Sequence, residues 1–162
     1  MFHGSSWCVL GAILAGLAVA TGAFAAHGLD KSFALRYGEE VITREYKDDA
    51  TGKTIKRETP KDRKFLADFK TATEYQMYHA LALLALGLVM QQAPSTWLTA
   101  AGWLFLIGSM GFSGGLYAYT LTDQKWIGML VVPTGGVLFL LGWMCFALGA
   151  WGCCSTKPSP VT

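Results

Sequence analysis

The sequence predicts an all-α integral membrane protein, a four-helix bundle with a long charged loop between helices one and two. Three observations carry this. Of the 24 charged residues, 21 lie between Asp30 and Glu74, and only Asp123, Lys125 and Lys157 lie outside. Such charge-free stretches are what a hydrocarbon layer about 30 Å thick demands, because an unpaired ion inside it costs several kcal/mol. The composition is 52% hydrophobic with positive mean hydropathy, which makes a soluble globule improbable. Four uncharged runs, each long enough to span, complete the pattern.

The spans are expected at 7–26, 75–92, 97–119 and 126–151. Backbone polar groups in lipid must be satisfied within a segment or by a closed barrel. These runs lack the strict alternation of barrel strands, so all four read as helices. Trp97, Tyr117, Tyr119, Trp126 and Trp151 stand near the proposed ends, where amphipathic rings favour the headgroup layer. The connections after helices two and three are short, so helices two, three and four should be antiparallel neighbours. The first run, Trp7 to Ala26, lacks a preceding Lys or Arg and is about twice the length of a signal-peptide core, so it reads as a retained span.

Helix one carries Gly11, Ala15, Ala18, Gly22 and Ala26, and helix three carries Gly111-x-x-x-Gly115. Small residues at this spacing let helices approach closely, within one bundle or between two copies of the chain.

The connection 30–74 is too long for a simple turn. Within it, 41–59 reads as a β-hairpin around Asp49-Ala50-Thr51-Gly52. The segment 61–74, with Phe65, Leu66, Phe69 and Ala72 at helical spacing beside Lys61, Arg63, Lys64 and Lys70, reads as an amphipathic interfacial helix running into helix two.

The net charge of +2 comes from near-balanced signs in one loop, so no nucleic-acid partner is expected. The partners expected are the bilayer and either another membrane protein or further copies of this chain. Cys8, Cys145, Cys153 and Cys154 lack zinc-site spacing. They read as small apolar filler, with Cys153 and Cys154 also candidates for lipidation.

Parity places the polar residues. Helix one ends and helix two begins on the side of the long loop, and helix three ends and helix four begins on that same side. His27, Glu74, Gln76, His79, Ser113, Tyr117, Pro133, Thr134, Gly135 and Gly136 therefore belong to one leaflet and form a candidate polar layer, serving either a ligand or helix packing. Pro133 should free a carbonyl one turn earlier, near Met129, and Gly135-Gly136 permits close approach of backbone or ligand.

Two histidines and a carboxylate near one layer suit proton relay, or a metal, haem or quinone headgroup. The plainer alternative is hydrogen bonding across helices. His27 and His79 alone fall two ligands short of a metal site, so neither a metal nor a cofactor is assigned. Ser113 lacks the strand-turn-helix setting of a hydrolase elbow, and no catalytic set is visible.

The string Gly22-Ala23-Phe24-Ala25-Ala26-His27-Gly28-Leu29 is joined in order by three further blocks. These are Thr71-Ala72-x-x-Tyr75-Gln76-x-Tyr78-His79-Ala80-Leu81, Phe112-Ser113-Gly114-Gly115-Leu116-Tyr117, and Pro133-Thr134-Gly135-Gly136 with Gly142-Trp143. Together they resemble the YgdD/YwdK-like small four-span proteins of the bacterial inner membrane, a domain-of-unknown-function family related to an animal transmembrane family. The resemblance implies a multi-pass membrane protein and brings no substrate, cofactor or catalytic residue. Ala25 stands where the family usually has glycine, Gly115 where it has serine, and the stretch from Arg44 to Pro60 looks like an insertion.

Three functions fit the sequence. One is a non-enzymatic accessory or assembly component of a membrane complex. Another is an oligomeric transporter or channel for a small solute or ion, and the last a haem- or quinone-binding redox subunit using His27 and His79. Orientation is in tension. Twelve Lys and Arg lie on the loop side and only Lys157 on the side of the termini, which favours cytoplasmic loops. A long loop of balanced charge can nevertheless translocate, and the resemblance implies cytoplasmic termini, which is the orientation expected here.

Overall fold

The first helix, α1, runs unbroken from Gly4 to Tyr37, eleven residues beyond Ala26. The structure, a computed structural model, describes residues 3–49 and 52–155, with the side chains of 153–155 outside that set. Strands β1 (Val41–Lys47) and β2 (Thr54–Pro60) follow, then α2 (Lys61–Gln92). Helix α3 spans Thr96–Thr122, and α4 starts with a π-helical turn at Ile127–Val131 and continues as Val132–Ser155. Three of the four helices, all but α2, are long and apolar enough to cross a membrane on their own.

Helix α1 outlasts the apolar run because Leu29, Phe33 and Tyr37 continue an i,i+4 stripe through the polar residues Asp30, Lys31 and Arg36. That stripe is buried against Phe65 and Phe69. The segment 61–74 differs from the sequence reading in what its apolar face meets. It is the first part of one 32-residue helix, and its apolar positions meet protein where lipid was expected. Phe65 lies 5.1 Å from the Tyr119 ring and Phe69 4.6 Å from the Tyr117 ring, centroid to centroid. At 1.5 Å per residue α2 is about 48 Å long, well beyond a hydrocarbon layer of about 30 Å.

The bundle is two antiparallel pairs. Glycines set the α1–α2 contact: a Cβ on Gly4 would sit 2.4 Å from the Gly87 carbonyl oxygen, and one on Gly11 2.7 Å from that of Ala80. In the α3–α4 contact, a Cβ on Gly135 would sit 2.3 Å from the Phe112 nitrogen, and one on Gly111 3.2 Å from the Gly135 Cα. Both small-residue ridges are thus occupied by contacts within the chain. Trp7, Leu83, Leu86, Leu98 and Phe105 fill the centre of the bundle with no exposed surface. The outer surface is apolar instead, with Val9, Ile13, Leu17, Leu140 and Met144 each more than half exposed.

Helix ends follow local chemistry. Ser95 caps α3, its hydroxyl accepting from the Trp97 N–H at 3.2 Å. Asp123 ends α3 in the left-handed region, φ 58°. The hairpin pairs Val41 with Pro60 through to Lys47 with Thr54, and Gly52 takes the positive φ, 65°, that its turn requires. Most of its side chains are exposed.

Candidate polar layer in the helix bundle

Tyr117 is the centre of the layer. Its hydroxyl lies 3.0 Å from Gln76 Oε1, 3.1 Å from Thr73 Oγ1 and 3.1 Å from Thr21 Oγ1, joining α3 to α2 and α1. Gln76 completes the link by donating from Nε2 to the Leu14 carbonyl at 2.9 Å. An amide oxygen only accepts, and the threonine hydroxyls donate to carbonyls of their own helices, Thr21 to Leu17 at 3.0 Å and Thr73 to Phe69 at 3.2 Å, so the tyrosine O–H is shared between Gln76 Oε1 and Thr73 Oγ1.

His79 lies apart from this set. Its Nδ1 is 2.8 Å from the Tyr75 carbonyl, while its Nε2 accepts from Trp143 Nε1–H at 3.3 Å. One tautomer, with the proton on Nδ1, accounts for both contacts. The ring stacks on Phe139 at 3.3 Å between centroids and is 4% exposed. Both nitrogens are therefore engaged.

The remaining predicted residues do not join either group. His27 sits in a π-helical turn, Ala25–Leu29, facing outward, and Glu74 is also exposed. Neither has a hydrogen bond or ion pair among the described residues. With Gly11 packed on Ala80, His27 lies sixteen residues further along α1, about 24 Å from the level of His79. Parity along the chain does not fix depth, and at this separation the two histidines do not share a layer. Among the described residues no three His, Cys, Asp or Glu side chains converge.

Ser113 is 1% exposed and its hydroxyl has no partner among the described residues. Pro133 follows the π-helical turn Ile127–Val131, the local distortion expected where an amide donor is missing. Pro133 and Thr134 face outward, and the Thr134 hydroxyl donates to the Leu130 carbonyl at 2.7 Å. Gly135 is buried against Phe112, and Gly136 is half-buried. Cys153 and Cys154 close α4, with side chains outside the described residues.

Sequence reasoning missed Thr21, Thr73 and Trp143 as partners. It also missed a charged knot at the loop end of the bundle. Lys61 Nζ donates to Glu40 at 2.6 Å and to Asp123 at 2.7 Å, and lies 4.6 Å from the centroid of the Tyr37 ring. Burial pulls this ammonium down, but the hydrogen bonds and charges of Asp123 and Glu40 outweigh it and hold the group above the ordinary lysine value of 10.5. A signal was available, since Asp123 is one of only three charges outside the loop.

This geometry can be set beside known proteins. A family model described as "Protein of unknown function (DUF423)" matches residues 21–136, from Thr21 of the polar layer to Gly136. The chain belongs to the DUF423 family. A UPF0382 membrane protein of Staphylococcus saprophyticus is similar to this DUF423 chain, 36% identical over 143 residues that cover 88% of the chain and 94% of the relative. Another from Staphylococcus aureus is 38% identical over 136 residues, covering 84% and 87%. No solved structure matches the chain. This DUF423 chain is a membrane protein by its relatives and by its apolar helices. Its matched region contains Tyr117, Gln76, Thr73 and Thr21, while Leu14, which accepts from Gln76, and Trp143, the partner of His79, lie outside it.

Proposed function

We propose that this chain is a four-span, non-enzymatic protein of the bacterial inner (cell) membrane that serves as an accessory or assembly component of a membrane complex. The observation that carries this reading is that the polar groups of Tyr117, Gln76 and His79 are taken up by one another, by the Trp143 indole or by backbone. Groups so engaged hold helices together and leave few free for a substrate. Helix α2 counts as a span because Gln76 and His79, which lower its hydropathy, are covered by neighbouring helices and hydrogen-bonded. The two-stranded hairpin supports a partner: most of its side chains are exposed, and each strand presents an outer edge with no strand paired to it among the described residues.

The termini are placed in the cytoplasm. Labelling of Cys153 and Cys154 by a membrane-impermeant thiol reagent should then require lysed cells, and ready labelling of intact cells reverses the orientation.

The function is tested by two measurements together. In native gels from mild detergent the full chain should migrate in an assembly containing a second membrane protein, and shortening the hairpin should release it. Reconstituted alone, it should conduct neither ions nor small solutes. A flux abolished by Tyr117→Phe with the fold intact would replace the assembly reading with conduction.

A further inference from the structure

At the loop end of the bundle an open cavity of about 640 Å³ lies between β1, the first turns of α2 and the start of α4. One wall is apolar, formed by Leu116, Tyr119 and Met129. Met129 is 74% exposed and the adjacent Leu130 66%, so this wall continues onto the surface that faces hydrocarbon. Trp126, also exposed, sits at the same end of α4, in the position of a headgroup-level ring.

The other wall is cationic. Three acids line the cavity, all ion-paired, Glu40 and Asp123 both to Lys61 and Asp68 to Lys64, and the four lining cations exceed them by one positive charge. Arg44 and Lys125 line it too, and neither has an acidic partner among the described residues. Arg44 also stands directly opposite Arg57 across the hairpin. These two arginines and Lys64 border an adjoining cavity of about 200 Å³. Like charges directly opposite on paired strands are unfavourable, so this gathering of cations around a void lacks its countercharge.

We propose that the cavity binds the phosphodiester headgroup of an anionic phospholipid. The Arg44 guanidinium, with Lys125 and Lys64, holds the phosphate, and an acyl chain follows Met129 and Leu130 down the outside of α4. The apolar wall favours a lipid over free phosphate. The surplus positive charge favours an anionic headgroup over a zwitterionic one, which brings its own cation. This assignment is independent of the assembly role and of orientation.

The test uses the full chain delipidated in mild detergent, with phosphatidylglycerol, phosphatidylethanolamine or inorganic phosphate added and read by native mass spectrometry and thermal unfolding. Phosphatidylglycerol should be retained and raise the unfolding midpoint, and the other two should do neither. In the double variant Arg44→Gln, Lys125→Gln retention should fall at least about thirty-fold, since each of the two charge-assisted contacts is worth at least about 1 kcal/mol, while Lys47→Gln, away from the cavity, retains it. Equal retention of both lipids, or of phosphatidylglycerol by wild type and double variant, overturns the proposal. Stabilisation by inorganic phosphate equal to that by the lipid reassigns the site to a soluble anion and overturns it too. If the double variant fails to fold, the wild-type comparison among the three ligands decides alone.

Discussion

The hydroxyl of Tyr117 on α3 lies 3.0 Å from Oε1 of Gln76 on α2, and Gln76 in turn reaches the Leu14 carbonyl on α1. One tyrosine proton and one amide thus join three helices. Polar contacts inside membrane bundles average about 0.6 kcal/mol and reach about 1.7. Tyr117→Phe should therefore destabilise by about 1 kcal/mol in reversible unfolding from detergent micelles. Tyr119→Phe, whose hydroxyl has no hydrogen bond among the described residues, should leave the midpoint unchanged.

Gly135 and Gly136 are neighbours in sequence with opposite surroundings. A methyl on Gly135 would sit 2.3 Å from the Phe112 backbone nitrogen, whereas one on Gly136 would meet nothing closer than the Phe112 ring at 3.7 Å. Gly135→Ala should force α3 and α4 apart and destabilise by roughly 3 kcal/mol. Gly136→Ala should be neutral or stabilise by up to about 1 kcal/mol, because alanine favours helix. Equal midpoints for the two variants in thermal unfolding would contradict the α3–α4 packing.

Lys61, the first residue of α2, joins the α1–β1 turn at Glu40 to the α3–α4 turn at Asp123 through one nitrogen. Lys61→Met should cost roughly 1–3 kcal/mol, below the value for a fully buried pair because Glu40 and Asp123 are partly solvated. The folded pKa lies above 10.5, so this stabilisation is fully present below that pH and is lost as pH rises through the folded value. The stability gap between wild type and Lys61→Met should stay constant from pH 7 to about 10 and narrow above 10.5. Chemical denaturation at stepped pH measures it.

His79 stacks on Phe139 and accepts a hydrogen bond from Trp143. His79→Leu should cost about 1–2 kcal/mol through lost ring contact and an orphaned indole N–H. The purified wild-type protein should show no visible-range absorbance. A band there that vanished in His79→Leu would restore the redox reading.

The bundle is legible in the sequence because hydrocarbon imposes a one-dimensional constraint, long runs without charge, which three of the four helices satisfy outright. The same constraint picks out Gln76, His79 and Tyr117 as unusual, since polar groups there need a reason. The family resemblance rests on the same blocks, and the model match from Thr21 to Gly136 bears it out.

Three-dimensional arrangement decided the rest. Pairing Tyr117 with Gln76, and His79 with Trp143, depends on helix rotation and depth, and parity along the chain specifies neither. Separating His27 from His79 depends on the α1–α2 register, which is set by glycines meeting backbone at Gly11 and Ala80. Extending α1 to Tyr37 and burying the apolar face of 61–74 depends on two amphipathic stripes finding each other. Each stripe alone reads as a surface for lipid or water, and only their contact buries Phe33, Tyr37 and Phe65 together. The sequence by itself determined a membrane protein and which of its residues are exceptional, because solvent selects composition. The tertiary structure alone decided which exceptional residues act together, because that is set by packing across sequence separations that no local pattern encodes.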